Sequence, residues 1–163
     1  VMENREMMME CSLDESLQYI VFLTRHIPEE DISSFILIVL LESLKGKKKF
    51  FKWLLDNGYP ELAAWSNAVL GDVDALHWLF DNGYGELGVL SNAIDGEKKA
   101  VQWVLSSKNE FYINFSAACR KEPDGMRWLE ERDLEIFIQM ALRIRVILDI
   151  QIKDQLFWYR WKQ

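Results

Sequence analysis

Two histidines, two cysteines and a few paired acids are the side chains of this 163-residue chain that could do covalent or acid–base chemistry, and their spacing argues against it. His26 precedes Ile27-Pro28, and His77 stands between Leu76 and Trp78. Neither has a sequence neighbour that would complete a metal site or activate a nucleophile. Cys11 and Cys119 match no metal-ligand spacing and form no disulfide framework. The acid pairs Asp72/Asp74 and Glu130/Glu131 suit helix N-termini and solvated faces. No glycine-rich phosphate loop and no nucleophile elbow occurs. The expectation is a chain with no catalytic residues, no cofactor and no bound metal.

Recognition chemistry is better represented. Lys45-Gly46-Lys47-Lys48-Lys49 is a basic run, with five lysines against Asp56 over residues 45–59, after nine acids against two bases over residues 1–44. Such a run could meet phosphates. It also fits a solvated turn at Gly46 whose lysines pair with the acidic residues before it, and a net charge of −7 weakens attachment to polyanions. Near the other end, Leu156-Phe157-Trp158-Tyr159-Arg160-Trp161-Lys162 mixes rings and cations, the composition of interface anchors. Trp158, Tyr159, Arg160 and Trp161 are therefore candidate partner-binding residues; the other expectation for this tail is that it folds back over the open end of the array.

What must position these residues is an internal repeat. Trp53, Trp78, Trp103 and Trp128 recur at 25-residue intervals, and Trp53-Leu54-Leu55-Asp56-Asn57-Gly58-Tyr59 aligns with Trp78-Leu79-Phe80-Asp81-Asn82-Gly83-Tyr84. A fixed period of this size marks an array whose units bury their apolar faces against their neighbours. The register Lys52, His77, Gln102, Arg127 changes chemistry each time and is expected to face water. Leu62, Leu87, Tyr112, Phe137, then Trp65, Leu90, Phe115, Met140, then Phe51, Leu76, Val101, Met126 stay large and apolar, and with the four tryptophans are expected in the core. Ser66, Ser91, Ser116, Ala141 and the alanines 68, 93 and 118 stay small, which suits close helix approach.

Each unit is expected to hold two helices. Pro60 suits a first turn, Gly71 a left-handed stop, Asp72 an N-cap, and Asn82-Gly83 the next stop. Gly96-Glu97 and Pro123-Asp124 open later second helices in the same way. Upstream, Ser12-Leu13-Asp14-Glu15 is a capping-box pattern for a first helix ending near Arg25-His26, and Glu29 opens a second.

Ala68, Gly71, Leu76, Trp78, Leu79, Phe80 and Gly83 resemble the core pattern of the ankyrin repeat, with nearly the same pattern one unit earlier and later. The fourth copy keeps Ala118, Met126, Trp128 and Leu129 but has Lys121 and Asp133 at the glycine positions, as Lys108 stands at one in the third. The resemblance implies stacked helix pairs that bind proteins. Typical ankyrin units are about 33 residues long; here the shortfall falls where the family places its projecting hairpin, and the Thr-Pro-Leu-His motif is missing.

The expected fold class is all-α, an ankyrin-like solenoid of stacked helix pairs with terminal capping helices. Residues 1–40 form the acidic N-terminal segment and capping helices, 41–133 the repeats, and 134–163 a degenerate cap and aromatic-basic tail. The longest apolar run, Phe35 to Leu41, is far short of the ~20 residues of a membrane span. The start Val1 to Glu6 is not a secretory signal, so a cytoplasmic location without membrane is expected. The expected function is a non-enzymatic protein-interaction module binding another protein, through Asn67, Leu70, Asn92 and Asp95 on successive first helices or through the tail. The alternative is a nucleic-acid-associated protein using Lys45–Lys52 or that same tail.

Overall fold

The computed structural model describes the backbone of residues 32–161 and the side chains of residues 34–155. The expected helices after Ser12 and Glu29, apart from the end of the second, and the candidate side chains of Trp158, Tyr159, Arg160 and Trp161 lie outside these limits. The chain divides into two units, Val1–Ile38 and Val39–Gln163, and the repeats belong to the second.

The described residues are all helical or turn, with no strand among them. The helices are α1 (Ile32–Leu44), α2 (Lys48–Asp56), α3 (Pro60–Val69), α4 (Val73–Asp81), α5 (Gly85–Ile94), α6 (Lys98–Ser106), α7 (Glu110–Cys119), α8 (Pro123–Glu130) and α9 (Glu135–Trp161). From α2 to α9 every helix starts 25 residues after its counterpart. The caps explain the regularity. Asp72 accepts from the amides of Asp74 and Ala75, Glu97 from those of Lys99 and Ala100, and Asn109 from that of Tyr112. Gly58 and Gly83 turn the chain at φ 85° and 86°, and Lys108 and Asp133 hold the same register at φ 58° and 53°.

A side chain with a Cβ is strained in that left-handed region. Lys108→Gly is therefore expected to stabilise the protein by about 0.5–1 kcal/mol, the relief of strain being partly offset by the greater freedom of glycine in the unfolded chain. Urea unfolding would check this, and a loss of stability would show that Lys108 is not strained.

Helices α3 and α4, α5 and α6, and α7 and α8 pack as pairs, while α3 touches α5, α5 touches α7 and α7 touches α9. The interior is built from recurring registers. Trp65, Leu90, Phe115 and Met140 are buried, as are Ser66, Ser91, Ser116 and Ala141. Ser66 also shares a 2.8 Å hydrogen bond with Ser43 of α1, and donates to Ala63 O. Phe111, Phe115 and Phe137 meet with centroids 4.7–5.9 Å apart, and Trp65 leans on Phe115 at 6.4 Å. Leu62, Leu87, Tyr112 and Phe137 are half-buried, as are Phe51, Leu76, Val101 and Met126.

The repeated tryptophans are not the core. Trp53, Trp78 and Trp128 are half-buried and Trp103 is 42% exposed, whereas the residues one position later, Leu54, Leu79, Val104 and Leu129, are almost fully buried. One helical step is 100°, so a helix that aims Leu79 inward carries Trp78 and Phe80 on its two flanks. Trp53 instead stacks on Tyr59, Trp78 stacks on Tyr84, and Arg132 covers the Trp128 ring at 4.1 Å. The register Lys52, His77, Gln102, Arg127 is exposed throughout, as expected.

Helix α9 runs unbroken to Trp161, so the aromatic and basic residues expected to turn back over the end of the array continue the same helix. Its side chains reach several earlier helix ends. Arg143 Nε donates to Leu44 O at 3.2 Å, Arg145 Nε to Ala118 O at 2.8 Å and Gln151 Nε2 to Val69 O at 3.2 Å. These carbonyls lie in the last turns of α1, α7 and α3, where acceptors lack helical partners and the helix dipole is negative. Arg120 Nη1 treats Ala93 O of α5 in the same way, at 2.6 Å. Among the described residues no helix is long and apolar enough to cross a membrane.

Candidate functional site

The lysine run is half occupied. Glu42 is buried and paired with Lys45 and, at 2.5 Å, with Lys47. Burial alone would raise the Glu42 carboxyl, but hydrogen bonds and charge from the two lysines outweigh it and hold the group below its ordinary value. Lys52 pairs with Asp56 at 2.5 Å, while Lys48 and Lys49 stay exposed. Lys45 and Lys47 thus share an acid that precedes the run, the pairing the solvated-turn expectation supposed, while Lys52 pairs within its own helix, which leaves less charge for a phosphate backbone.

The first-helix residues Asn67, Leu70, Asn92 and Asp95 fall in two different settings. Asp95 lines a cleft of about 410 Å³ with Ile94, Arg120 and the α9 residues Leu148, Gln151 and Ile152. Leu70 is half-buried and follows Val69, whose carbonyl Gln151 of α9 holds. The far end of the first-helix surface is therefore partly taken by the chain's own α9. Asn67 lines a second cleft, and Asn92 is half-buried at the matching position of the next unit.

Asp95 is the C-cap residue of α5, where a carboxylate faces the negative end of the helix dipole. Its side chain is open to solvent on one side, and the partial burial given by the cleft pushes its carboxyl up to about 6. A carboxyl whose folded value lies above the unfolded one adds stability at low pH, and that stability is lost as the pH rises through the folded value. Asp95→Asn is accordingly expected to stabilise the protein at neutral pH by about 1 kcal/mol, a figure reduced because the residue is open to solvent. The difference should vanish below about pH 4. Thermal unfolding across that range checks it, and an equal shift at every pH would remove ionisation as the cause. Cys119, in the same cleft, is fully buried, and burial raises its thiol far above the reactive range.

The second cleft, of about 350 Å³, lies between α2, α3 and α4 and is lined by Phe51, Leu55, Ala64, Asn67, Asp72, Asp74 and Trp78, with Pro60 and Ala75. Leu55 is 45% exposed. The same register carries Phe80 and Leu105, both exposed, so one flank of the second helices bears large apolar side chains that the interior does not use. Sequence reasoning found only Asn67 of this cleft. The register Leu55, Phe80, Leu105 was the available signal, because it stays apolar beside a core register that is already filled.

No family model matches the chain, and no curated protein and no solved structure matches it either. Among the described residues no group of three His, Cys, Asp or Glu side chains is placed to hold a metal ion.

Proposed function

We propose that the 25-residue helix pairs form an ankyrin-like solenoid that serves as a non-enzymatic protein-interaction module. The observation that carries this reading is the exposed apolar register Leu55, Phe80 and Leu105 on successive second helices. Periodic large side chains on a rigid repeat are a ready binding surface, since ordering costs are met before the partner arrives. The turns that replace the family's hairpin are short, so the helix flanks and the cleft at Asn67 are the surfaces offered, with the tail residues Trp158 to Trp161 as a further anchor. The partner is a protein, and the pairing of Lys45, Lys47 and Lys52 with acids argues against the polyanion alternative.

The test is a pull-down with the tagged chain from a cell lysate, with and without nuclease, compared with Leu105→Ser. Leu105 is 57% exposed, so the change should leave stability within about 0.5 kcal/mol. A discrete protein retained by the parent and lost with Leu105→Ser supports the reading. Retention of nucleic acid alone, released steeply by added salt, would overturn it in favour of phosphate contacts.

A further inference from the structure

One unit after the cleft at Phe51, Leu55 and Trp78, a ring stands at the register of Leu55. Phe80 stands at the register of Leu55, while Gly85 and Gly88 stand at the registers of Pro60 and Ala63. A Cβ built at Gly88 would meet Phe80 Cζ at 2.8 Å, and one at Gly85 would meet Cδ1 at 3.6 Å, so the ring rests against the bare backbone of α5. Leu55 carries no ring and lines the open 350 Å³ cleft. Its polar lining is acceptor-rich and negative. Asp72 Oδ1 is engaged by the amides of Asp74 and Ala75, Asp74 is exposed, and no lysine or arginine lines the cleft. At the register of Asp74 the next unit has Lys99. The open cleft is thus suited to an aromatic side chain beside a cation.

The chain itself carries a segment of that chemistry, Phe157-Trp158-Tyr159-Arg160-Trp161-Lys162. It follows a part of α9 in which Ile152, Lys153, Asp154 and Gln155 are all exposed. We propose that this aromatic and basic segment of one molecule seats in the Leu55–Trp78 cleft of a second copy. A ring enters against Leu55 and Trp78, and Arg160 or Lys162 meets Asp72 and Asp74. The proposal rests on the interaction-module reading and names an occupant for its flank. Because cleft and segment are different surfaces, the contact is head-to-tail and builds rings or short chains.

Sedimentation of the full chain over a range of concentrations tests this, with two variants that copy residues the next unit already tolerates. Asp74→Lys reverses the charge at an exposed position, and Leu55→Phe with Ala63→Gly changes the Leu55 wall of the cleft to a ring laid against α3. Concentration-dependent association of the parent, weakened roughly tenfold or more by Asp74→Lys, supports the proposal. A fluorescein-labelled peptide of residues 157–162 should bind the parent and be lost from both variants. A parent that stays monomeric with no peptide binding, or association unchanged in Asp74→Lys, overturns it. Should the double variant fail to fold, Asp74→Lys decides alone. A protein captured by the parent and lost with Leu105→Ser, while the parent stays monomeric, is failure of this proposal alone; self-association weakened by Asp74→Lys with no protein captured from lysate is failure of the interaction-module reading alone.

Discussion

Gly125→Ala is expected to destabilise the protein by about 3 kcal/mol or more, the upper end of what overpacking costs. Gly125 lies within α8, where alanine would ordinarily add up to about 1 kcal/mol of helix propensity. Here the neighbour is backbone. A Cβ at this position would come within 2.9 Å of Ala117 C and closer still to Ala118 N and Asn114 O, all in α7. A side chain can swing aside, but a helix backbone cannot, so α8 would have to withdraw from α7 and loosen the buried Leu129 with it. The same register holds Phe50, Ala75 and Ala100 in the earlier units, so the helix pairs do not share one spacing. Ala100→Gly offers the contrast, with an expected loss of about 1 kcal/mol from propensity and a small cavity. Denaturant unfolding of both variants checks the prediction. A Gly125→Ala loss below about 0.5 kcal/mol would mean that α7 and α8 are not in backbone contact.

Gly125 also shows what a repeat alignment conveys and what it hides. Turn and cap chemistry is local, so Pro60, Gly71, Asp72, Gly83 and Glu97 placed helix boundaries correctly, and even Lys108, Lys121 and Asp133 kept the left-handed turns that their alignment with glycine implied. The all-α class followed from those signals. Distances between helices are set by pairs of registers acting together, and a single register viewed alone does not reveal them. The cleft was hidden for that reason: its walls Phe51, Leu55, Asn67 and Trp78 come from three helices and belong to different registers. The reach of α9 to Leu44, Val69 and Ala118 was hidden because its donors, Arg143, Arg145 and Gln151, stand outside the repeating pattern. Their positions fix which part of the first-helix surface is already used, and so shift attention to the cleft that α9 does not line.

Leu79→Ala is expected to cost about 3–5 kcal/mol and Trp78→Ala only about 1–2 kcal/mol, although the tryptophan is the larger side chain. Leu79 is fully buried, so truncation removes its transfer energy and leaves a cavity that the flanking helices close only in part. Trp78 is half-buried and lies against Tyr84 with centroids 5.8 Å apart and planes inclined by 12°. Its loss forfeits that stacking, worth about 0.5–1.5 kcal/mol, and part of one flank, while water fills the space freely. Recurrence every 25 residues made the tryptophans look like the structural constant of the array, but a register can recur because it lines every gap between units as well as because it fills every interior. The order of the two losses in urea unfolding separates these cases. If Trp78→Ala proved the more damaging, Trp78 would be the interior residue, and the Leu55–Trp78 cleft would lose the wall that makes it a site for an aromatic ring.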